Sequence, residues 1–280
     1  MLGVDRQVYY RSIKSINNRK KVAAKVVELV IEVRLKMPRI GTRKLYYLLE
    51  SKLKELRVGR DRLFTILKAN HMLIAPKRQY HITTNSHHRF RKHKYLLQDL
   101  KFYRPNQVWV VDITYVGTRK TPMYLALITD AYSKKIVGFD LSNSLCTSGS
   151  LRALKMALKQ RVAKSEQLIH HSDRGLQYCS NDYQRELIKH NLRCSMTESY
   201  DPYQNAIAER VNGILKQEFI IGILINDIQI MRGLIKESIG IYNNERPHSS
   251  CKMKTPKQMH RQREIEIKTY KSKKYHQVLD

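Results

Sequence analysis

The sequence predicts an α/β protein, with a mixed five-stranded sheet and helices on both faces, preceded by an all-α region. Three observations lead to this prediction. Apolar residues recur at spacings of three and four in the first seventy residues, which is typical of helices. From residue 108 onward, short segments rich in β-branched and aromatic residues alternate with helical segments. With 280 residues and 42% apolar composition, the chain is long enough for one large domain or two to three small ones.

The charge is distributed unevenly along the chain. There are 53 Lys+Arg and 24 Asp+Glu, a formal net charge of +29. Residues 1–104 carry 26 basic and 7 acidic side chains, whereas residues 105–250 carry 18 and 14. A nearly balanced centre with cationic ends predicts a folded core flanked by segments that bind a polyanion, and nucleic acid is the expected partner.

Composition and patterning also exclude several classes of protein. No apolar run approaches the ~18 residues that span a bilayer. The N-terminus lacks the basic head and apolar stretch of a signal peptide. The four cysteines are scattered without a CxxC pair, which argues against a zinc ribbon or a disulfide framework. We therefore expect a cytoplasmic protein with reduced thiols and no membrane partner.

The first third of the chain predicts helices. Residues 20–37 have a helical apolar period. Two shorter helices are predicted at 42–49, with Thr42 as N-cap, and at 60–68, joined by a short connection. Such a pair with a basic second member favours a DNA-binding helix-turn-helix, with a purely structural hairpin as the alternative. The basic side chains expected to contact DNA here are Arg43, Lys44, Arg60, Arg62 and Lys68.

The centre of the chain predicts three strands separated by short turns, which should form an antiparallel meander. These strands are 108–116, 123–130 and 135–141. They are followed by a helix at 148–162, a strand at 168–173, a helix at 181–190, a strand at 192–196 and a helix at 205–219. This order is that of a ribonuclease-H-like fold.

Three carboxylates stand out against this pattern. Asp112 lies inside the most apolar strand, where a carboxylate is costly unless it is paired or binds a cation. Asp173 closes another strand, and Glu209 lies on the polar side of the last helix. Each alone is more simply a solvated or ion-paired carboxylate. The predicted sheet, however, places the two strands side by side with the helix across their ends, so the three carboxylates should converge. Such hard oxygen ligands would hold two Mg²⁺ or Mn²⁺ ions.

Two histidines precede Asp173 directly. His170 and His171 alternate in direction along the predicted strand. One is expected to lie buried and the other to face DNA.

The motifs around these carboxylates are specific as an ordered set. They are Trp109-x2-Asp112-Ile113-Thr114-Tyr115, then His170-His171-Ser172-Asp173-Arg174-Gly175-x-Gln177-Tyr178, then Asn205-Ala206-x2-Glu209-x2-Asn212-x2-Leu215-Lys216-x-Glu218. They resemble the catalytic OrfB subunit of the IS-three family of insertion-sequence transposases, relatives of the retroviral integrases. The 35 residues between Asp173 and Glu209 match the D-D-35-E spacing of that family. One departure is Gln204, which stands where the family usually has an acidic residue.

The resemblance extends over nearly the whole chain. Tyr242-Asn243-x2-Arg246-Pro247-His248 resembles the C-terminal block of the family, and Gly41-Thr42-Arg43-Lys44-Leu45 its helix-turn-helix block. The resemblance implies a DNA transposase that cleaves strands and transfers them through a 3′ hydroxyl, with Asp112, Asp173 and Glu209 as catalytic ligands of two Mg²⁺ or Mn²⁺ ions. It further implies several partners: double-stranded DNA of the element's terminal repeats and of the target, an OrfA-type DNA-binding partner or a frameshift fusion, and a homo-oligomer that is at least a dimer on DNA. The implied location is the bacterial cytoplasm, at the nucleoid.

Further polar residues receive candidate roles around the expected site. Lys216 lies two helical turns beyond the helical glutamate on the same face, where it would hold a DNA phosphate, or be an ordinary surface lysine. Asn205 and Asn212 would orient DNA or water, with a plain N-cap as the alternative for Asn205. Arg246 and His248 either contact DNA phosphate or close the domain by hydrogen bonding.

The expected domain organisation has four parts. Residues 1–76 form the helical DNA-binding region, 77–104 a basic linker, 105–262 the ribonuclease-H-like catalytic core with a C-terminal helix, and 263–280 a basic tail. Two other functions stay open: a structure-selective nuclease of the same fold, which cuts without joining, and a catalytically silent DNA-binding remnant.

Overall fold

A computed structural model describes residues 5–75, 93–118, 121–162, 165–198, 205–219 and 225–265. The chain divides into two compact units, residues 1–78 and 79–280. Residues 77–92 of the predicted linker and 266–280 of the predicted tail lie outside the described residues, and so does Gln204.

The first unit consists of four helices. They are α1 Arg6–Lys36, α2 Thr42–Leu48, α3 Glu50–Glu55 and α4 Arg60–Ala69. Each helix contributes to one small apolar core, because its apolar residues recur every three or four positions and so lie on one face. The most deeply buried members include Val30 of α1, Leu45 of α2, Leu53 of α3 and Leu63 of α4.

Three details of this unit differ from the sequence-based expectation. The segment expected as a short connection between the two predicted helices contains a further helix, α3, which is too short to show an apolar period. The helix α1 begins at Arg6 and not at Lys20, with the Asp5 carboxylate as N-cap, 2.9 Å from the backbone nitrogen of Gln7. The first turns of α1 have no buried face. The helix was predicted from the apolar period of its buried part, and that period does not extend into these turns. The N-cap of α2 is Gly41, and Thr42 is the first helical residue and is buried.

The second unit contains one mixed five-stranded sheet. Its strands are β1 Val108–Gly117, β2 Pro122–Asp130, β3 Ile136–Ser142, β4 Leu168–Ser172 and β5 Leu192–Met196, in the spatial order β3-β2-β1-β4-β5. The meander β1-β2-β3 is antiparallel, and β4 and β5 extend the sheet in parallel beyond β1. The predicted strands and their order are confirmed.

The helices described in this unit are α5 Thr147–Gln160, α6 Leu176–Cys179, α7 Asn181–Lys189, α8 Ala206–Glu218, α9 Ile228–Asn244 and α10 Pro256–His260. Of these, α5, α7 and α8 lie close to their predicted positions. The short helices α6 and α10 were not predicted, since four or five residues are too few to show a period. The predicted C-terminal helix, which had no stated bounds, is α9.

Alternation along β1 sends its side chains to two different apolar clusters. Trp109 and Val111 pack with Leu154 of α5 and Leu187 of α7 on one face of the sheet. Val108, Val110 and Ala208 of α8 pack on the other face. Helices on both faces are therefore confirmed.

The segment just before β1 belongs to the second cluster. Leu97 is buried there, and Tyr95, Leu100 and Phe102 pack against it. Residues 93–104, expected as the end of a basic linker, thus include apolar side chains that cover the α8 face of the sheet.

The edge strand β3 is covered by α9. The side-chain amide of Asn243 accepts a hydrogen bond from the Ile136 nitrogen and donates one to the Ile136 oxygen, both at 3.0 Å. Arg232 donates to the Leu141 oxygen at 3.1 Å. These contacts occupy backbone groups that would otherwise be available for strand pairing with another chain.

In the described segments, no helix combines the length and the apolar character that crossing a membrane requires.

Candidate active site

The position of Asp112 follows from the alternation of β1. Val108 and Val110 face α8, so Asp112 faces it too. Its carboxylate accepts hydrogen bonds from the backbone nitrogen of Ile113 at 2.8 Å and from Nδ2 of Asn212 on α8 at 2.7 Å. The carboxylate is therefore held between the sheet and the helix that packs on it.

Asp173 reaches the same side of the sheet. The strand β4 runs parallel to β1, with His171 opposite Val110. Asp173 follows the end of β4 two residues after His171, so alternation directs it to the α8 face. Its Oδ1 accepts a hydrogen bond from the Gly175 nitrogen at 3.0 Å. A Cβ atom at Gly175 would lie 2.9 Å from this Oδ1, so a larger residue there would push the Asp173 carboxylate out of this position.

Glu209 lies in the first turn of α8 and is exposed. It belongs to a polar row along the helix that recurs every three or four residues and therefore lies on one face. The row is Asn205, Glu209, Asn212 and Lys216.

The other members of this row contact β1 directly. Nδ2 of Asn205 donates to the Val111 oxygen at 3.1 Å, and Nζ of Lys216 donates to Oγ1 of Thr114 at 3.2 Å. Asn205 is the N-cap residue of α8, but its side chain makes no capping hydrogen bond. Both asparagines are buried, and their Oδ1 atoms have no hydrogen-bond partner among the described residues.

The electrostatics show that the three carboxylates interact. Burial, followed by the charge of Asp173, raises the pKa of Asp112 to about 8, and Glu209 adds to this; the two hydrogen bonds to the carboxylate oppose it. Although Glu209 is exposed as a whole residue, partial loss of water around its carboxylate, followed by the charge of Asp173, raises its pKa. Burial lowers the pKa of the Lys216 ammonium, while Asp112 raises it. The charge of Asp173 therefore raises the pKa of both other carboxylates, which places the three groups within electrostatic reach of one another.

The described part of the chain contains no group of three His, Cys, Asp or Glu side chains close enough together to hold a metal ion.

Arg246 is 1% exposed and forms a bidentate ion pair with Glu218 at the end of α8. Its Nε and Nη2 lie 2.8 and 2.7 Å from the two carboxylate oxygens. Its guanidinium also lies 5.7 Å from the ring centroid of Tyr242 on α9. Of the two roles that the sequence left open, this geometry favours domain closure over phosphate contact. No role had been inferred for Glu218, because only tertiary packing brings it to Arg246.

His248 is also engaged within the domain. Its Nδ1 lies 2.9 Å from Oγ of Ser250, and its backbone nitrogen donates to the Lys254 oxygen at 3.0 Å. These contacts, too, favour a role in closing the domain.

The two histidines before Asp173 are both buried, so the expectation that one of them faces DNA is wrong. Nε2 of His170 lies 2.8 Å from the Tyr183 hydroxyl, and Nδ1 of His171 lies 2.9 Å from Oγ of Ser195. Burial lowers the pKa of His170 to about 3, so this ring is neutral at physiological pH.

The basic candidates of the first unit lie mainly at its surface. Arg43, in the first turn of α2, is exposed, and Lys44 beside it is partly buried. Arg60, Arg62 and Lys68 of α4 are exposed. Arg60 pairs with the neighbouring Asp61 at 3.0 Å, an exposed ion pair of little energetic weight.

Comparison with known proteins agrees with the fold. Two family models described as integrase core domain match residues 103–202 and 190–256. The chain is 34% identical over 253 residues to the insertion element IS600 uncharacterized 31 kDa protein of Shigella sonnei, covering 89% of this chain and 92% of that protein. It is 40% identical to the transposase InsF for insertion sequence IS3A of Escherichia coli K12, over 58% of this chain and 57% of that protein.

A solved structure shows the same fold. It is the cryo-EM structure of a simian T-cell lymphotropic virus intasome in complex with the PP2A regulatory subunit B56 gamma. The TM-score is 0.50 at 18% sequence identity, covering 82% of this chain and 78% of that chain.

The ribonuclease-H-like sheet, together with the matches to integrase core models and to a transposase, defines an integrase-type polynucleotidyl transferase of the DDE class. The chain belongs to the IS3-type family of insertion-sequence transposase catalytic subunits.

Proposed function

We propose that this protein cleaves and transfers the DNA strands of an insertion sequence through Asp112, Asp173 and Glu209. The observation that carries the proposal is the electrostatic coupling of the three side chains across β1, β4 and α8. Asp173 raises the pKa of both Asp112 and Glu209, and perturbed carboxylates of this kind are common at functional sites. The 35-residue spacing between Asp173 and Glu209 agrees with this assignment.

By donor chemistry the three carboxylates suit Mg²⁺ or Mn²⁺, since they supply the hard oxygen ligands that these cations prefer. To hold a pair of ions they would have to lie closer together than they do in this structure. The buried Oδ1 atoms of Asn205 and Asn212 offer further acceptors for the hydrogen atoms of water. When bound, the ions would activate the attacking oxygen and stabilise the leaving one.

The reaction consists of two phosphoryl transfers. In cleavage, a water oxygen bonds to the phosphorus at the element end, and the 3′ oxygen leaves as a hydroxyl. In strand transfer, this 3′ hydroxyl bonds to a target phosphorus, and the 3′ oxygen of the target strand leaves. Asn212 holds Asp112 in place, and the Lys216 ammonium, one helical turn further on, binds a phosphate of the DNA.

The basic first unit would bind double-stranded DNA as a helix-turn-helix. Phosphate contacts would come from the basic side chains at its surface. These phosphate-contacting side chains are Arg43, Lys44, Arg60, Arg62 and Lys68.

We further propose that the protein works with an OrfA-type DNA-binding partner or as a frameshift fusion with it. The working form would be at least a homodimer on paired element ends and on target DNA. It would act at the nucleoid in the bacterial cytoplasm.

The decisive test is strand transfer by the purified chain on labelled element-end DNA with a target plasmid. We expect a joined product that forms only with Mg²⁺ or Mn²⁺ and that Glu209→Gln does not form. Cutting without joining would instead favour a nuclease. DNA binding with neither reaction, both in this chain and in a fusion with its partner, would favour a silent remnant.

Neutralising Arg43 and Arg62 should reduce the salt dependence of DNA binding. Removing one ion pair with a phosphate lowers the slope of log K against log salt by about 0.9. We expect Arg43→Ala and Arg62→Ala each to do so, measured by anisotropy between about 50 and 200 mM salt. Lys54→Ala is the control, because Lys54 is exposed but pairs with Glu50 at 2.9 Å. If the slopes of Arg43→Ala and Arg62→Ala both equal that of the wild-type protein, α2 and α4 form a structural hairpin and do not contact phosphate.

Asn212→Ala should weaken catalysis without weakening DNA binding. The hydrogen bond from Asn212 holds Asp112 in place and lowers the pKa of its carboxyl group. Without this bond the pKa should rise further, so the carboxylate should hold cations less well. We expect about 10- to 100-fold slower cleavage, as when a metal ligand loses its hydrogen-bond partner, with half-saturation at higher Mg²⁺. Gln217→Ala, at an exposed position of the same helix, is the control. An unchanged Mg²⁺ titration would reject the positioning role.

A further inference from the structure

The first half of α1 lies outside the core of its unit. Every residue from Asp5 to Lys21 is exposed, and the helix first becomes buried at Val26 and Val30. Isolated helices of about 12–15 residues are only marginally stable in water, and most helices are stabilised by packing of an apolar face. We call residues 5–21 the arm.

The arm has an apolar stripe of its own. Tyr9, Ile13 and Ile16 are 57%, 37% and 48% exposed, and they lie four and three residues apart. The stripe continues with the same alternation through Lys20 and Ala23 to Val27. At about 100° per residue, it is rotated roughly a quarter turn from the face of Val26 and Val30 that packs in the unit's own core.

A 4-3 repeat of apolar residues is the pattern by which one helix packs against another in a coiled coil. From this stripe we infer that the arm is a docking surface for an amphipathic helix of a partner chain, one that carries carboxylates beside its apolar seam. Such pairing would bury the side chains of Tyr9, Ile13 and Ile16.

The charge of the arm identifies the partner. The arm has six basic side chains and one acidic side chain. Lys20 interrupts the apolar stripe, and Arg19 flanks it, so carboxylates on the opposing helix would pair with both. A second copy aligned in parallel would instead bring Lys20 against Lys20, where like charges destabilise pairing.

DNA does not account for the stripe. Phosphates have no apolar surface for Tyr9, Ile13 and Ile16. The side chains of Arg11, Lys14 and Lys21 project from the opposite side of the helix and leave the stripe available to a protein.

The test uses the full chain and three labelled peptides of about four heptads. The acidic peptide has Leu at its seam and Glu beside it, the basic peptide has Lys in place of Glu, and the third keeps Glu but has Gln at the seam. We expect the acidic peptide to bind at least tenfold more tightly than either of the others, by anisotropy at physiological salt. Similar binding of the Gln-seam peptide would reduce the effect to bulk charge and overturn the proposal.

Matched variants separate the seam from the charge. Ile13→Gln with Ile16→Gln should weaken binding of the acidic peptide at least tenfold, whereas Ile188→Gln on α7, another exposed isoleucine, should not. Arg19→Glu with Lys20→Glu should reverse the preference between acidic and basic peptides. Unchanged thermal unfolding and circular dichroism would show that the variants stay folded.

Two results would assign the stripe to another occupant. A dimer detected by light scattering and dispersed by Ile13→Gln with Ile16→Gln would mean that a second copy covers it. Strong protection of the arm from amide hydrogen exchange in the monomer without peptide would mean that the chain itself covers it. Either result overturns the inference and leaves the proposed catalytic function untouched.

Discussion

Asp112→Asn should abolish strand cleavage and, without divalent cations, make the protein more stable. Asparagine keeps the shape of the side chain but removes the charge that the burial and Asp173 disfavour. Catalysis should fall by at least about 10³-fold, because the carboxylate is a proposed ligand of the ions that stabilise the transition state. DNA binding should be unchanged.

The sign of the stability effect follows from the raised pKa. The folded Asp112 has a pKa of about 8, against about 3.9 in the unfolded chain. Between these two values the folded state binds more protons than the unfolded state, so this group lowers stability as the pH rises from about 4 to 8. At pH 7 the variant should therefore be more stable by on the order of 2–4 kcal/mol, and at pH 3.5 the difference should be small.

Thermal unfolding of both proteins between pH 3.5 and 8 with a chelator measures this effect. Asp182→Asn, at an exposed and ion-paired position on α7, is the control and should show no such gain at pH 7. Adding Mg²⁺ should stabilise the wild-type protein more than Asp112→Asn and so narrow the gap. A variant that is less stable than the wild type at pH 7 without metal would make Asp112 a structural carboxylate.

Arg246→Met should destabilise the catalytic unit by about 3–5 kcal/mol, because it leaves the Glu218 carboxylate without its buried partner. Glu218 ends α8, so loosening this contact also frees the helix that carries Glu209 and Asn212. Cleavage should slow even at temperatures where the variant remains folded.

A double-mutant cycle isolates the pair. Adding Glu218→Gln to Arg246→Met removes the unpaired charge, so the double variant should regain part of the unfolding free energy, measured by urea denaturation. The salt slope of DNA binding should match that of the wild type. A fully stable Arg246→Met with a slope reduced by about 0.9 would show instead that Arg246 contacts phosphate.

Several features of this protein were accessible from local sequence. The strands β1 to β5 stand out because β-branched and aromatic residues cluster between turns, and their order limits the sheet to few topologies. The placement of Asp112 on the α8 face follows from the period of two along β1. The motif spacing then linked Asp173 and Glu209 to it, and the family was recognisable from these residues.

Local sequence gave no comparable signal for contacts between distant residues. The pairing of Arg246 with Glu218 joins positions 28 residues apart, and both residue types are normally exposed. The same limit applied to His171, which was expected at the surface as readily as in the core and is buried against Ser195. The early part of α1 was missed because its stripe of Tyr9, Ile13 and Ile16 lies on a different face from the buried period of Val26 and Val30.

The sequence by itself therefore determined the fold class and the family, and it named the three candidate carboxylates, because strand alternation, turn residues and motif spacing are local properties of the chain. Only the tertiary structure decided which polar side chains support the site and which ones close the domain. Hydrogen bonds such as Asn212 to Asp112, and ion pairs such as Arg246 to Glu218, depend on how α8 packs against β1 and α9. That packing is set by the whole apolar core and is not written in any one segment.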